Sequence, residues 1–157
     1  MHLPGIAIRR GYPTDFPRLI ELAGDEIAGF DAEHWQQRLP APEVFTYLAE
    51  DAGIFGFVTV GRSVLLDEAV GEVFGLFLES DHRRSGLGQK LLVRGLSVLK
   101  RRGFALAVVF IADTEPEPAR LLLEKLGFTR DVGSREINHQ GRSVSQIGYG
   151  LDLDEYF

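Results

Sequence analysis

Six residues near the centre of the chain, Arg83-Arg84-Ser85-Gly86-Leu87-Gly88, combine two cationic side chains with two glycines just before a helical pattern. The N-terminus of a helix presents backbone N–H groups that have no intrahelical partner, and it carries about half a positive charge. Glycines let a ligand approach the backbone, and the arginines attract an anion from a distance. These residue types therefore predict a site for a phosphate or a pyrophosphate.

Two nucleotide-binding patterns can be compared with this turn. The dinucleotide fingerprint requires a third glycine where the chain has Leu91, and the P-loop requires a glycine followed by a lysine and a hydroxyl residue, which this turn lacks. Both patterns fail. An ordinary tight turn before a helix is the alternative to an anion site, and the flanking elements decide between the two.

The flanking pattern predicts alternating strands and helices. An apolar strand, Val70 to Leu78, precedes the turn, and leucines at helical spacing predict a helix from Gly86 to a left-handed cap at Gly103. The apolar run Phe104 to Ile111 is typical of a central strand parallel to the one before the helix. Further helices are predicted at 14–29, 31–39 and 114–127, and further strands at 5–10, 44–50, 53–60, 129–138 and 142–153.

Composition limits the classes of function. With 157 residues, 45% hydrophobic and 25% charged, the chain is predicted to form one domain over 1–157. It has no cysteine and its histidines lack metal-ligand spacing, so no metal is expected. The net charge of −6 argues against a nucleic-acid partner and suits a cationic or amine substrate. No apolar run could span a bilayer, which predicts a cytoplasmic protein without a membrane partner.

Two blocks of sequence resemble motifs of the GNAT superfamily of N-acetyltransferases. The segment 71–82, followed by Arg83-x-x-Gly86-x-Gly88, is similar to motif A, and 119–128, ending in Leu-Gly-Phe, is similar to motif B. The resemblance implies a single GNAT-like α/β (α+β) domain. Its mixed, mostly antiparallel sheet of about seven strands would be flanked by helices, with central parallel strands that splay apart. Acetyl-CoA is then the expected co-substrate.

The resemblance also implies where acetyl-CoA would bind. Its pantetheine arm would run like an added strand beside Leu76, Phe77 and Leu78, and the amide of Leu78 would polarise the thioester carbonyl. An N–H aimed at a developing oxyanion stabilises the transition state of acyl transfer. The pyrophosphate would bind at Arg83, Arg84, Ser85, Gly86, Leu87 and Gly88.

A catalytic base is expected on the strand before the turn. A primary amine with a pKa near 10.4 attacks only after it loses a proton, so it needs a base or a water chain leading to one. The resemblance suggests Glu72, because a strand glutamate serves as base in the histone-acetylating branch. The alternatives for Glu72 are a solvent-facing strand residue and a partner of Arg62.

Motif B departs from the family pattern at two positions. Leu123 stands where a tyrosine usually protonates the leaving thiolate, and Pro116 stands where an asparagine often contacts the cofactor. Tyr149, in the last predicted strand, is a candidate for the missing acid, although a strand tyrosine can also simply pack on a sheet.

The predicted function is transfer of an acetyl group from acetyl-CoA to a primary amine of a small molecule or peptide by direct attack. The replacements at Leu123 and Pro116 keep one alternative open, a non-catalytic acyl-CoA-binding or sensing module. The oligomeric state also stays open, a homodimer included.

Overall fold

A computed structural model describes residues 5–24, 32–63, 69–79, 86–113, 117–139 and 141–156. Within them, the strands are β1 Ala7–Arg10, β2 Val44–Glu50, β3 Ile54–Arg62, β4 Val70–Leu78, β5 Leu106–Ala112, β6 Thr129–His139 and β7 Arg142–Asp152. The α-helices are α1 Phe16–Ala23, α2 Ala32–Arg38, α3 Leu87–Arg101, α4 Glu117–Lys125 and α5 Leu153–Tyr156. None of these helices is long and apolar enough to cross a membrane.

The strands form one sheet in the order β1-β2-β3-β4-β5-β7-β6. Every neighbouring pair is antiparallel except β4 and β5, which run parallel on either side of the connection through α3. The predicted fold class is therefore confirmed, including its seven strands and its central parallel pair.

The sheet has a separate core on each face. On the face we call the α3 face, the leucines of α3 pack against Val58, Val60 and Val73. On the opposite face, which we call the α2 face, Leu19 of α1 and Trp35 of α2 pack against aromatic residues of the sheet. The two cores fix α2 and α3 on opposite sides of β4.

Two glycines let α3 lie close to the sheet. A Cβ atom added at Gly95 would lie 2.8 Å from Val60 Cγ1, and one added at Gly71 would lie 2.7 Å from Leu99 Cδ2. Real Cβ atoms do not tolerate such distances, because protein interiors are close-packed. This close approach holds α3 against β3 and β4.

The first helix, α1, starts and ends at other residues than the sequence pattern predicts. Thr14, where the predicted helix 14–29 starts, lies inside a 3-10 turn at Pro13–Asp15, and α1 begins only at Phe16. Gly24, with φ of +48°, ends α1 after Ala23. The predicted end at Gly29 lies outside the described residues.

Candidate functional site

The two central strands pair over only part of their length. The parallel ladder joins Val70–Val73 to Leu106–Val109 and stops there. Beyond that point β4 stays with β3 as far as Leu78, whereas β5 stays with β7 as far as Ala112. The carboxyl ends of β4 and β5 therefore part, and a V-shaped cleft opens between them.

A bulge in β4 lies at the point where the cleft begins. Thr59 of β3 is opposite Gly75, and the next residue, Val60, is opposite Val73, so Phe74 is an extra residue in β4. A β-bulge bends its strand and interrupts the ladder locally. The extra residue accounts for the loss of pairing with β5 immediately after Val73.

The backbone of β4 turns alternate peptide groups toward the cleft. Glu79 N–H donates to Phe55 O at 2.9 Å, so this residue pair is of the hydrogen-bonded type. Alternation along the antiparallel ladder directs the N–H of Phe77 toward β3 as well, and directs those of Leu76 and Leu78 toward the cleft. The side chain of Phe77 is buried in the core of the α2 face.

The start of α3 has a glycine N-cap, next to the residues for which the sequence predicts an anion site. Gly86 is the N-cap with φ of +83°, a conformation that glycine adopts without strain, and its carbonyl accepts the N–H of Lys90 at 3.1 Å. Leu87 is buried, whereas a Cβ atom added at Gly88 would have no heavy atom of a described neighbouring element within 4 Å. No described side chain therefore fills the space next to Gly88. Residues 83–85 lie outside the described part of the chain.

An open groove runs along α3 from this point. It has a volume of about 510 Å³, borders Gly86, and includes Ile8, Lys90 and Arg94 in its lining. Lys90 and Arg94 are four residues apart, so they lie on the same side of the helix. The predicted cofactor turn ends at Gly88 and leaves out both side chains, although their helical spacing is readable in the sequence.

Glu72 is buried on the α2 face, with only 3% of its surface exposed. Ser63 Oγ donates to its Oε1 at 3.1 Å, and Arg135 Nη2 donates to its Oε2 at 3.3 Å. Both alternatives considered for Glu72 are therefore wrong. It does not face solvent, and Arg62 instead donates to Glu43, at 3.1 Å.

Arg135 is a site residue that the sequence did not reveal. Its Nε donates to Gln146 Oε1 at 2.8 Å, and its Cζ lies 3.8 Å from the centroid of the Phe110 ring. These contacts hold the guanidinium against Glu72. The two residues are 63 positions apart in the chain, so no local pattern could have linked them.

Arg38, at the end of α2, is a second arginine on this face. Its Cζ lies 4.1 Å from the centroid of Phe74 and 5.6 Å from that of Trp35. Burial lowers the pKa of Arg38, the charge of Glu72 opposes this shift, and the charge of Arg135 adds to it. Within the part of the chain that the structure describes, the site on the α2 face thus brings together the carboxylate of Glu72 and the guanidinium groups of Arg135 and Arg38.

Comparison with known proteins identifies the family. The profile of the Acetyltransferase (GNAT) family matches residues 7–128 of the chain.
The chain belongs to the GNAT family.
A mycothiol acetyltransferase of Thermobifida fusca is 33% identical over 123 residues, an alignment that covers 73% of this chain and 36% of the relative. The chain thus spans about a third of that relative's length.

Solved structures share the GNAT fold. A Salmonella typhimurium acetyltransferase structure with its cofactor acetyl-CoA has a TM-score of 0.77 at 20% identity, covering 96% of this chain and 95% of the other. The ribosomal-protein-S18-alanine N-acetyltransferase of Escherichia coli has a TM-score of 0.75 at 18% identity, covering 94% of each chain. At these identities the likeness concerns the fold.

The structure describes one of the two residues that depart from the GNAT motif B pattern. Leu123 is 4% exposed and belongs to the core of the α3 face. Pro116 lies outside the described residues. The described residues contain no group of three or more His, Asp or Glu side chains that could hold a metal ion.

Tyr149 and Glu72 lie on opposite faces of this GNAT sheet. Tyr149 is 1% exposed, pairs with Val109, and belongs to the core of the α3 face together with Val73. Glu72 precedes Val73 in the strand and therefore points to the α2 face. The Tyr149 hydroxyl has no hydrogen-bond partner among the described residues, and a buried hydroxyl without one is costly.

Proposed function

We propose that this chain transfers an acetyl group from acetyl-CoA to a primary amine of a small molecule or peptide, within a single domain over 1–157. The observation that carries the proposal is the parting of β4 and β5 after Val73 and Val109, beside the start of α3. A cleft between parallel strands with a helix N-terminus at its mouth suits an extended ligand that ends in phosphates.

In this proposal the sheet and α3 hold acetyl-CoA. The pantetheine arm pairs with β4 as an added strand, because the peptide groups of Leu76 and Leu78 point toward the cleft. The pyrophosphate binds at residues 83–88, where the open space next to Gly88 admits it to the backbone. Lys90 and Arg94 line the adjoining groove and add attraction for phosphate.

The reaction is a direct displacement at the thioester carbonyl carbon. The amine nitrogen forms the new C–N bond, the C–S bond breaks, and the electron pair leaves on the sulfur of CoA. The N–H of Leu78 stabilises the negative charge on the carbonyl oxygen. Glu72 takes the proton from the amine on the α2 face, and Tyr149 gives a proton to the thiolate on the α3 face.

Their positions on opposite faces suit these two roles. Glu72 is the residue before Val73, whose pair with Val109 is the last before the strands part, and Tyr149 lies opposite Val109. A thioester at the apex of the cleft would therefore meet the base from one side and the acid from the other. Each carboxylate oxygen of Glu72 already accepts one hydrogen bond, which leaves further lone pairs for a proton.

Thiol release from acetyl-CoA, measured over a panel of amines, amino acids, polyamines and peptides, tests the proposal. Glu72→Gln keeps the size of the side chain but removes the base, so turnover should fall about a hundredfold or more, with CoA affinity unchanged. Glu43→Gln is the matched control, because it removes an ion-paired carboxylate from the exposed Arg62–Glu43 pair.

The outcomes separate the candidate functions. Full turnover by Glu72→Gln would remove the base assignment. CoA binding without thiol release on any acceptor would favour the non-catalytic acyl-CoA-binding module. Calorimetry that detects no binding of CoA would exclude both functions.

A further inference from the structure

Among the described side chains of the site on the α2 face, the positive and negative charges do not balance. Arg135 forms an ion pair with Glu72, and this pair accounts for one positive and one negative charge. The guanidinium of Arg38 has no hydrogen bond or ion pair with any described residue, and it lies over the rings of Phe74 and Trp35. Among the described residues of this site, Glu72, Arg135 and Arg38 together carry one excess positive charge, although the chain as a whole has a net charge of −6.

The excess charge is close to the proposed base. The charges of both Glu72 and Arg135 act on Arg38, and burial opposes its ionised form. A partly buried charge is stabilised by a counterion, and without one it carries a desolvation penalty. Stacking on two rings offsets some of this penalty but satisfies none of the five N–H donors of the guanidinium.

We propose that the acceptor amine carries a carboxylate, as an amino acid does, and that Arg38 binds this carboxylate while the amine approaches Glu72. This inference rests on the proposed function, since it names the class of acceptor for the same site. A guanidinium and a carboxylate match in shape and form paired, charge-assisted hydrogen bonds. The ring contacts with Phe74 and Trp35 hold the planar group in place for such a pair.

The same arrangement disfavours a different class of acceptor. A polyamine brings a second cation, which would face Arg38 and Arg135 rather than an anion. Like charges brought together in a partly buried site raise the free energy of binding. The local charges of the α2 face thus discriminate against the cationic acceptors that the overall charge of the chain would favour.

Matched acceptors test the inference by turnover. Wild-type protein should use glycine and alanine with a kcat/KM at least about tenfold higher than their carboxamides, since a hydrogen-bonded ion pair contributes that much. In Arg38→Met, which keeps the length of the side chain, the ratio should fall to about one. Arg18→Met, which alters an exposed arginine paired with Glu21, should keep the wild-type ratio.

A binding measurement separates this inference from the proposed function. CoA-loaded wild-type protein should bind N-acetylglycine at least about tenfold more tightly than N-acetylglycinamide, and Arg38→Met should lose this difference. Selective binding without turnover on any amine would overturn the proposed function and leave the anion site standing. Equal binding of acid and amide by wild-type protein, or turnover that favours carboxamides or polyamines, would overturn the inference.

Discussion

Gly88→Ala should change stability and cofactor affinity in opposite directions. Gly88 lies in the first turn of α3, and a Cβ atom there would have no heavy atom of the described neighbouring elements within 4 Å. The methyl group therefore clashes with no described residue. Because glycine within a helix is less favourable than alanine by about 0.5–1 kcal/mol, the variant should gain roughly that free energy of unfolding. For a chain of this size the melting temperature should rise by about 1–4 °C.

The same methyl group would stand in the space proposed for the pyrophosphate. No described side chain occupies that space, and a phosphate could approach the backbone of Gly88 closely only while no Cβ atom is present. We expect the affinity for CoA to fall at least about tenfold, which corresponds to about 1.4 kcal/mol. Because the variant would also be more stable, its weaker binding of CoA could not be attributed to general damage to the fold.

Thermal unfolding and calorimetric titration with CoA measure the two effects separately. Gly103→Ala is the control, because Gly103 follows the other end of α3 with φ of +91° and a Cβ atom there would likewise touch no described residue. It should lose about 1–2 kcal/mol through backbone strain and bind CoA as wild type does. If Gly88→Ala is stabilised and binds CoA with unchanged affinity, the pyrophosphate does not approach the backbone at this position.

Two further predictions concern Asp15 and Leu123. Hydrogen bonds from Arg9 hold the pKa of Asp15 below its ordinary value of 3.8, so its stabilising effect is full at neutral pH and is lost as the pH falls through the lowered pKa. Asp15→Asn should lower the melting temperature at pH 7 by about 2–4 °C, which is equivalent to about 1 kcal/mol. At pH 3 the decrease should be clearly smaller. Equal decreases at both pH values would contradict the lowered pKa of Asp15. Leu123→Tyr should cost about 1–3 kcal/mol, because the position is packed. Its turnover should not rise if Tyr149 supplies the acid, and faster thiol release would instead assign that role to position 123.

The elements governed by local signals could be predicted from the sequence. The bounds of β2 and β4 agree with the sequence pattern, and α3 begins at the predicted glycine turn. Leucines at helical spacing, a glycine before the first turn and a left-handed Gly103 after the last one are all readable within a few residues. The predicted start of the first helix is wrong because Pro13–Asp15 forms a 3-10 turn, and the residues of this turn also suit the start of an α-helix.

The surroundings of Glu72 could not be predicted in the same way. The resemblance to the family suggested the residue, but its partners come from elements distant in the chain. Arg135, in β6, lies over the ring of Phe110 and donates a hydrogen bond to Glu72. Arg38, in α2, lies over the ring of Phe74. Such contacts depend on the strand order and on the face to which each side chain points. The sequence pattern predicted strands here but not their order at this edge of the sheet.

The bulge at Phe74 explains how one strand can serve both faces of the site. In an unbroken strand, Leu76 and Leu78 would share a face with Glu72, because side chains alternate. With Phe74 inserted, Leu76 and Leu78 instead pack on the α3 face with Val73, whereas Phe77 joins the core of the α2 face. The same extra residue ends the pairing with β5. The α3 face of the cleft is thereby left to the proposed cofactor, and Glu72 stays with Arg38 and Arg135 on the side from which an acceptor would enter.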